Sequence, residues 1–215
     1  MRRTLVHFAF PLVLCGACAD VQARPPLLPF EAAPPRLQGT PPPKTGAPRM
    51  PKEGDHVLDM RVYYGIPILQ KSLLWDGNGE VDQFGMRFRY LTHTSDLVAL
   101  GAGLSIMNFL LGGSDVQAAE ADAIGRFYLH SEETWGAFLE VTGGYLQATD
   151  AIPPGGTEWN FTFSWGAGVD VPVGDDVDFI AGATYHHISN ALGRQNPRNP
   201  SQNEAQLWVG MALRF

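Results

Sequence analysis

The sequence predicts an all-β fold, an eight-stranded antiparallel up-and-down transmembrane β-barrel that occupies residues 55–215. Three observations lead to this prediction. Apolar and polar residues alternate with period two in eight successive segments, and no segment shows a convincing helical period. Glycine, proline, asparagine and aspartate separate the segments. The segments are also longer than the strands of most soluble sheets, and they match a tilted crossing of a bilayer.

Residues 1–19 have the features of a signal peptide. A basic start, `MRR`, precedes the apolar run `TLVHFAFPLVLCGA`, and Ala17 and Ala19 then form an A-x-A cleavage site ahead of Asp20. The apolar run is too short to be a membrane helix. The sequence therefore predicts export of the chain.

Both cysteines of the chain, Cys15 and Cys18, lie inside this signal. The mature chain is therefore expected to offer neither a disulfide nor a thiolate metal site. Lipidation of Cys18 is an alternative to ordinary cleavage, although Leu14 lies one position too far away for a good lipobox.

Residues 20–54 are predicted to be a proline-rich disordered linker. The stretch `RPPLLPFEAAPPRLQGTPPPKTGAPRMPKEG` has little periodicity and many prolines, which favours an extended, unpacked chain. The whole chain has a net charge of −7. That charge argues against nucleic acid as a partner, because nucleic-acid binding requires a basic patch.

The eight predicted strands, in chain order, cover residues 56–66, 79–92, 96–111, 117–131, 134–148, 158–173, 175–189 and 203–215. An even number of long strands is typical of a small closed barrel. The last strand, `EAQLWVGMALRF`, shows the alternation most clearly, since its odd positions from Leu207 to Phe215 are all apolar and its even positions are mixed.

In a soluble barrel this apolar face would line the interior. Two features favour lipid contact instead. The chain ends in an alternating apolar segment with a C-terminal Phe215, which resembles the assembly signal of bacterial outer-membrane proteins. Aromatic residues recur near the segment ends, as an interfacial girdle requires: Tyr63, Tyr64, Trp75, Tyr90, Trp135, Tyr145, Trp159 and Tyr185. The alternative is a secreted lipocalin-like barrel that binds a hydrophobic ligand in an apolar interior.

The seventh strand, `DVDFIAGATYHHIS`, carries the residues of chemical interest. Its odd positions form the better lipid face, and they continue into His187 and Ser189. Because side chains two residues apart on a strand point the same way, these two are expected outside the barrel near the membrane boundary, with His186 inside. Neighbouring histidines that face opposite ways do not share an ion, so no metal site is predicted.

A histidine beside a serine on one exposed face favours nucleophilic ester hydrolysis, with the imidazole accepting the hydroxyl proton. Such chemistry also needs a group that orients the imidazole and donors that stabilise an oxyanion. The loop `NALGRQNPRNPSQNE` that follows is rich in amides and holds one carboxylate, Glu204.

The motif `HISNA`, the Asn-Pro-rich loop and the final strand ending in Phe together resemble the PagL-type lipid A 3-O-deacylase family. The resemblance is specific over about 30 residues at the C-terminus. Over the rest of the chain it depends on size, strand number and the export signal. It implies an eight-stranded outer-membrane esterase of Gram-negative bacteria whose catalytic histidine and serine face lipid.

Carried over by position, the resemblance makes His187 the base and Ser189 the nucleophile, followed by Asn190 as in the family. Asn199, in `NPSQN`, best matches the loop asparagine that helps to form the oxyanion hole, and Asn196, in `NPRN`, is the competing choice.

The acidic residue of the family's catalytic site has no match at the expected position in this chain. The family places a glutamate four residues after the loop asparagine, but four residues after Asn199 this chain has Asn203. Parity agrees, because Asn203 belongs to the outward set and Glu204 to the inward set. Either Asn203 orients His187, or a bulge at the rim turns Glu204 outward.

The expected function is hydrolysis of an ester-linked acyl chain of lipid A in lipopolysaccharide. The resemblance implies that this is the 3-O chain. The expected location is the bacterial outer membrane, with lipopolysaccharide and membrane lipid as partners and no cofactor. The alternatives are a non-catalytic structural barrel with a periplasmic tether, and the lipocalin-like binder. The sequence sets neither the acyl position nor the oligomeric state.

Overall fold

The structure, a computed structural model, describes residues 49–68, 77, 80–113, 115–192 and 196–215. The predicted signal peptide, the linker up to residue 48 and Trp75 lie outside the described residues. None of the described residues belongs to a helix long and apolar enough to cross a membrane.

Eight antiparallel strands close into one barrel in which each strand pairs with its neighbours in the sequence and β1 pairs with β8. The predicted fold class is thereby confirmed. The strands are β1 (His56–Pro67), β2 (Asp82–Ser95), β3 (Val98–Leu110), β4 (Val116–Ser131), β5 (Gly136–Ile152), β6 (Thr157–Pro172), β7 (Val177–Ser189) and β8 (Gln202–Arg214).

The observed bounds depart from the predicted ones most clearly in β2 and β5. β2 continues to Ser95, because pairing with β3 resumes after a register shift between His93 and Ser95. β5 continues to Ile152, which pairs with Thr157 after a similar shift. An irregularity of this kind interrupts the alternation of apolar and polar residues but does not end the strand pairing. A boundary predicted from the alternation therefore lies before the true end of the strand.

The barrel wall is apolar outside and charged inside. Exposed leucines, valines and aromatic residues cover the exterior, for example Leu104 at 65% exposure and Leu207 at 68%. Inside, Arg61, Arg89 and Arg126 all form ion pairs with Glu140. A lipocalin-like binder requires an apolar interior, so that alternative is wrong for this chain.

The two ends of the barrel differ in the length of their connections. The strand bounds leave long connections between β1 and β2 and between β7 and β8 at one end, whereas the opposite end has short turns, such as residues 96–97 between β2 and β3. The backbone of Phe215 bonds that of His56 at the short-turn end. Outer-membrane barrels have short periplasmic turns and longer extracellular loops, so in such a barrel the β7–β8 connection would be extracellular.

Most of the predicted aromatic girdle faces outward. Its clearly exposed members are Tyr64, Tyr90, Trp135, Tyr145 and Trp159, and Tyr185 is half-buried. The assignment of Tyr63 to the girdle is wrong, because its side chain is buried inside the barrel with the Arg87 guanidinium 4.7 Å from its ring centre. The reason is parity: Tyr63 and Tyr64 are adjacent on a strand, so only one of them contacts lipid.

Candidate functional site

The ladder between β7 and β8 brings His187 directly opposite Asn203. The imidazole Nδ1 lies 2.7 Å from the Asn203 side-chain oxygen Oδ1. Both side chains are on the outward face, yet they are 5% and 1% exposed, so other parts of the protein cover them. A hydrogen bond in such a site is stronger than one in water and holds the ring in place.

Glu204 lies on the other side of the wall. It is the ladder partner of His186, whose Nδ1 is 3.1 Å from Glu204 Oε2. The second ring nitrogen of His186 lies 3.6 Å from Glu120. The register between β7 and β8 runs without a shift from Val177 to Ile188. The bulge that would turn Glu204 outward does not occur, and the contact with His187 is made by Asn203.

Glu204 instead belongs to a polar network inside the barrel. The side chains of Gln83, Gln202 and Gln206 all donate hydrogen bonds to its carboxylate. This network lies directly behind the His187–Asn203 pair. Its evident role is to satisfy a buried charge and to hold the ends of β7 and β8 in register.

Ser189 ends β7 and is tied to the following loop. Its hydroxyl donates to Asn199 Oδ1 at 3.1 Å, and the same oxygen accepts the backbone N–H of Asn190 at 3.2 Å. The backbone N–H of Ala191, which has a φ of 58°, donates to Ser189 Oγ at 3.2 Å. The backbone donor beside the hydroxyl is therefore that of Ala191, two residues after Ser189, whereas the N–H of Asn190 bonds Asn199.

The two competing loop asparagines have different surroundings. Asn199 contacts Ser189, as described above. Asn196 bonds within its own loop, since its Nδ2 donates to the carbonyl of Leu192 at 3.1 Å and its Oδ1 accepts the N–H of Arg198 at 2.9 Å. Asn190 reaches the same loop through an Nδ2 bond of 2.6 Å to the carbonyl of Arg198. Asn199 is therefore the asparagine at the site, and Asn196 stabilises the loop.

His187 and Ser189 share the outward face, but the Ser189 hydroxyl bonds to Asn199 and not to His187. The two side chains are two residues apart on one strand and therefore point the same way. Catalytic hydrogen bonds are often incomplete before substrate binds. The site thus holds a serine, an imidazole and side-chain amides on one face, with the serine hydroxyl bonded to an amide oxygen.

Two residues at the site are missing from the sequence-based prediction. Tyr185 donates from its hydroxyl to Asn203 Oδ1 at 2.8 Å. A Cβ atom on Gly77, in the β1–β2 connection, would lie 2.8 Å from the backbone nitrogen of Asn203. Parity alone would have found Tyr185, since it shares the face of His187. No sequence signal indicates Gly77, because its contact joins distant parts of the chain.

An aromatic wall on β6 flanks the site. Phe161, Phe163 and Trp165 are the ladder partners of Ser189, His187 and Tyr185 respectively. Phe161 is 51% exposed and Trp165 is 50% exposed, and both belong to the lipid-facing surface. The polar site thus lies beside an apolar surface at the extracellular end of the barrel.

The described residues contain no group of three histidine, cysteine, aspartate or glutamate side chains that could hold a metal ion. His186 and His187 point to opposite sides of the wall, as their ladder contacts show. The reactive groups that the structure describes at the site are the serine, the imidazole and the amides.

No protein-family model matches the sequence. No curated protein matches it either. The fold, however, resembles solved structures. Neisserial surface protein A has a TM-score of 0.57 and 14% sequence identity, with 76% of this chain and 100% of that chain covered. The outer-membrane protein OprG of Pseudomonas aeruginosa has a TM-score of 0.47 and 13% identity, with 76% and 97% covered.

At this level of identity the likeness concerns the fold alone. A closed antiparallel barrel with an apolar exterior and a charged interior is the architecture by which strands cross a bilayer with every backbone group paired. The chain is an eight-stranded β-barrel of the bacterial outer-membrane class, and we place it in that membrane.

Proposed function

We propose that the protein is an outer-membrane esterase that hydrolyses an ester-linked acyl chain of lipid A, with the 3-O chain expected from the resemblance to PagL-type deacylases. The observation that carries the proposal is the buried His187–Asn203 pair on the same outer face as Ser189. Hydrolysis of a membrane ester requires an oriented imidazole beside a serine on the wall that meets lipid.

In the proposed reaction the Ser189 hydroxyl turns from Asn199 to His187 and transfers its proton to the imidazole. The alkoxide attacks the ester carbonyl, and the Asn199 amide turns so that the tetrahedral oxyanion accepts hydrogen bonds from its Nδ2 and from the backbone N–H of Asn190, which it thereby releases. The bond to the sugar oxygen then breaks, and that oxygen takes the proton from the imidazolium. Water, activated by His187, hydrolyses the acyl-enzyme and releases the fatty acid.

The place of the site supports lipopolysaccharide as the substrate class. Ser189 lies at the extracellular end of β7, beside exposed Phe161. That end of the barrel meets the outer leaflet, where the acyl esters of lipid A lie beneath the sugar. The surrounding lipid also lowers the dielectric constant, which strengthens the oxyanion contacts.

The test is mass spectrometry of lipid A from a Gram-negative host that produces the wild type, Ser189→Ala or His187→Ala. Ser131→Ala is the matched control, since Ser131 ends β4 at the periplasmic end. We expect loss of one hydroxyacyl mass with the wild type and the control only. Folding of each variant is checked by heat-modifiable migration on gels. Intact lipid A with a folded, inserted wild-type barrel would overturn the proposal.

A second candidate, a non-catalytic structural barrel, also has an observation in its favour. The Ser189 hydroxyl is bonded to Asn199, and an asparagine stands where the family has a carboxylate. In that case Ser189 and Asn199 simply fasten the loop to the strand. The same experiment separates the candidates, because a structural barrel leaves lipid A unchanged in all variants.

A further inference from the structure

The side-chain oxygen of Asn203 is a shared acceptor. The hydroxyl of Tyr185 donates to it at 2.8 Å, and His187 Nδ1 lies 2.7 Å from it. An amide oxygen carries no hydrogen, so a bond at that distance requires the proton to be on Nδ1. The basic lone pair of the neutral ring is then on Nε2.

An asparagine in this role has a weakness that a carboxylate lacks. A carboxylate presents an oxygen whichever way it is turned, whereas an amide turned by 180° presents its NH2 group. That NH2 group would donate to Nδ1 and stabilise the opposite tautomer, in which Nε2 carries the proton and does not act as a base. The replacement of glutamate by asparagine therefore works only if the amide has one fixed orientation.

We propose that Tyr185 is a positioning residue that fixes the amide of Asn203 with its oxygen toward His187, and thereby sets the tautomer of the base. The inference rests on the proposed function for its catalytic consequence. A phenol donates a hydrogen bond more readily than it accepts one, so its contact favours oxygen over nitrogen at this end of the amide. At its other end, Asn203 Nδ2 faces Gly77 of the β1–β2 connection.

The position of Tyr185 in the barrel wall brings its hydroxyl to Asn203. It lies two residues before His187 on the same face of β7. Its ladder partner on β8 is Ala205, whose small side chain leaves room for the phenol to lean toward Asn203. On the other side, the ring of Trp165 contacts that of Tyr185 with centroids 5.7 Å apart. The phenol is thereby held between a large neighbour and a small one.

The test compares Tyr185→Phe in two backgrounds, that of the wild type and that of Asn203→Asp. In the wild-type background we expect kcat for deacylation to fall about tenfold with little change in KM, the cost of one oriented hydrogen bond. In the Asn203→Asp background the same substitution is expected to change kcat by less than about twofold, because a carboxylate needs no orienting group. An equal loss in both backgrounds would show that Tyr185 serves only packing, and it would overturn the inference.

A matched control is Tyr145→Phe, which removes a phenol hydroxyl that bonds Gln147 on the outer wall of β5. It is expected to leave kcat unchanged in both backgrounds.

A second readout needs no activity. Nitrogen-15 NMR of His187 in the folded barrel is expected to show a protonated Nδ1 and an unprotonated Nε2 for the wild type, and a mixture of tautomers for Tyr185→Phe. A protonated Nε2 in the wild type would contradict the inference. The expected tautomer together with intact lipid A would instead count against the proposed function alone.

Discussion

His187 and Asn203 are cross-strand partners on the outer wall of the barrel, and their polar side-chain atoms Nδ1 and Oδ1 are 2.7 Å apart. The next pair in the ladder, formed by His186 before His187 and Glu204 after Asn203, lies inside the barrel. The wall thus carries one histidine with its β8 partner on each of its two faces. In the outer pair the acceptor is the neutral amide of Asn203, and in the inner pair it is the carboxylate of Glu204. Because the wall separates the two pairs, we expect the outer one to affect catalysis and the inner one to affect stability.

The first prediction separates these two pairs. Asn203→Ala removes the acceptor of His187, and we expect kcat for deacylation to fall by about 10²- to 10³-fold while the folded barrel persists. Glu204→Gln is expected to leave kcat near the wild-type value and to destabilise the barrel by about 1–3 kcal/mol, because it disturbs a buried network. Lipid A deacylation and urea unfolding in lipid vesicles measure the two effects. A larger loss of kcat with Glu204→Gln than with Asn203→Ala would contradict the assignment.

The second prediction concerns the close approach of the β1–β2 connection. A Cβ atom on Gly77 would lie 2.8 Å from the backbone nitrogen of Asn203, so Gly77→Ala must displace either the connection or the asparagine. We expect a substantial loss of deacylation with little change in the stability of the barrel. Gly113→Ala is the control, since nothing lies within 4 Å of the corresponding position in the β3–β4 connection. Equal activity of the two variants would show that the approach is unimportant.

The third prediction concerns the charged interior. Glu140 forms ion pairs with Arg61, Arg89 and Arg126 and is 4% exposed. Glu140→Gln leaves these arginines with less compensation, and the expected loss of unfolding free energy is about 3–5 kcal/mol. Urea unfolding followed by tryptophan fluorescence in vesicles measures it. The control is Glu133→Gln in the exposed β4–β5 turn, where a change beyond about 0.5 kcal/mol is not expected. A similarly small effect for Glu140→Gln would refute the structural role of the cluster.

The fourth prediction tests the lipid-facing wall. Leu104 lies in the middle of β3 and is 65% exposed. Leu104→Arg places a charge near the centre of the bilayer, and we expect it to destabilise the barrel by about 2–4 kcal/mol. Leu97→Arg, in the periplasmic turn, is expected to cost about 0–1 kcal/mol. The comparison is made by unfolding in vesicles, and equal costs at the two positions would argue against a membrane-spanning wall.

The sequence by itself determined which side of the wall each residue occupies. Alternation is a local property of an extended chain, so it can be read without knowledge of the partners of a strand. It gave eight strands and an outward face for His187 and Ser189, and the structure confirms both. The same rule, applied to Tyr63, would have avoided its assignment to the girdle.

The tertiary structure alone decided which groups meet. The choice between Asn203 and Glu204 depended on whether the β7–β8 ladder contains a bulge, and register is set by pairing across the whole strand. The choice between Asn199 and Asn196 depended on the path of a loop whose composition is uniform in amides. The approach of Gly77 to Asn203 joins two connections far apart in the sequence. Such contacts result from closure of the barrel, which no local pattern encodes.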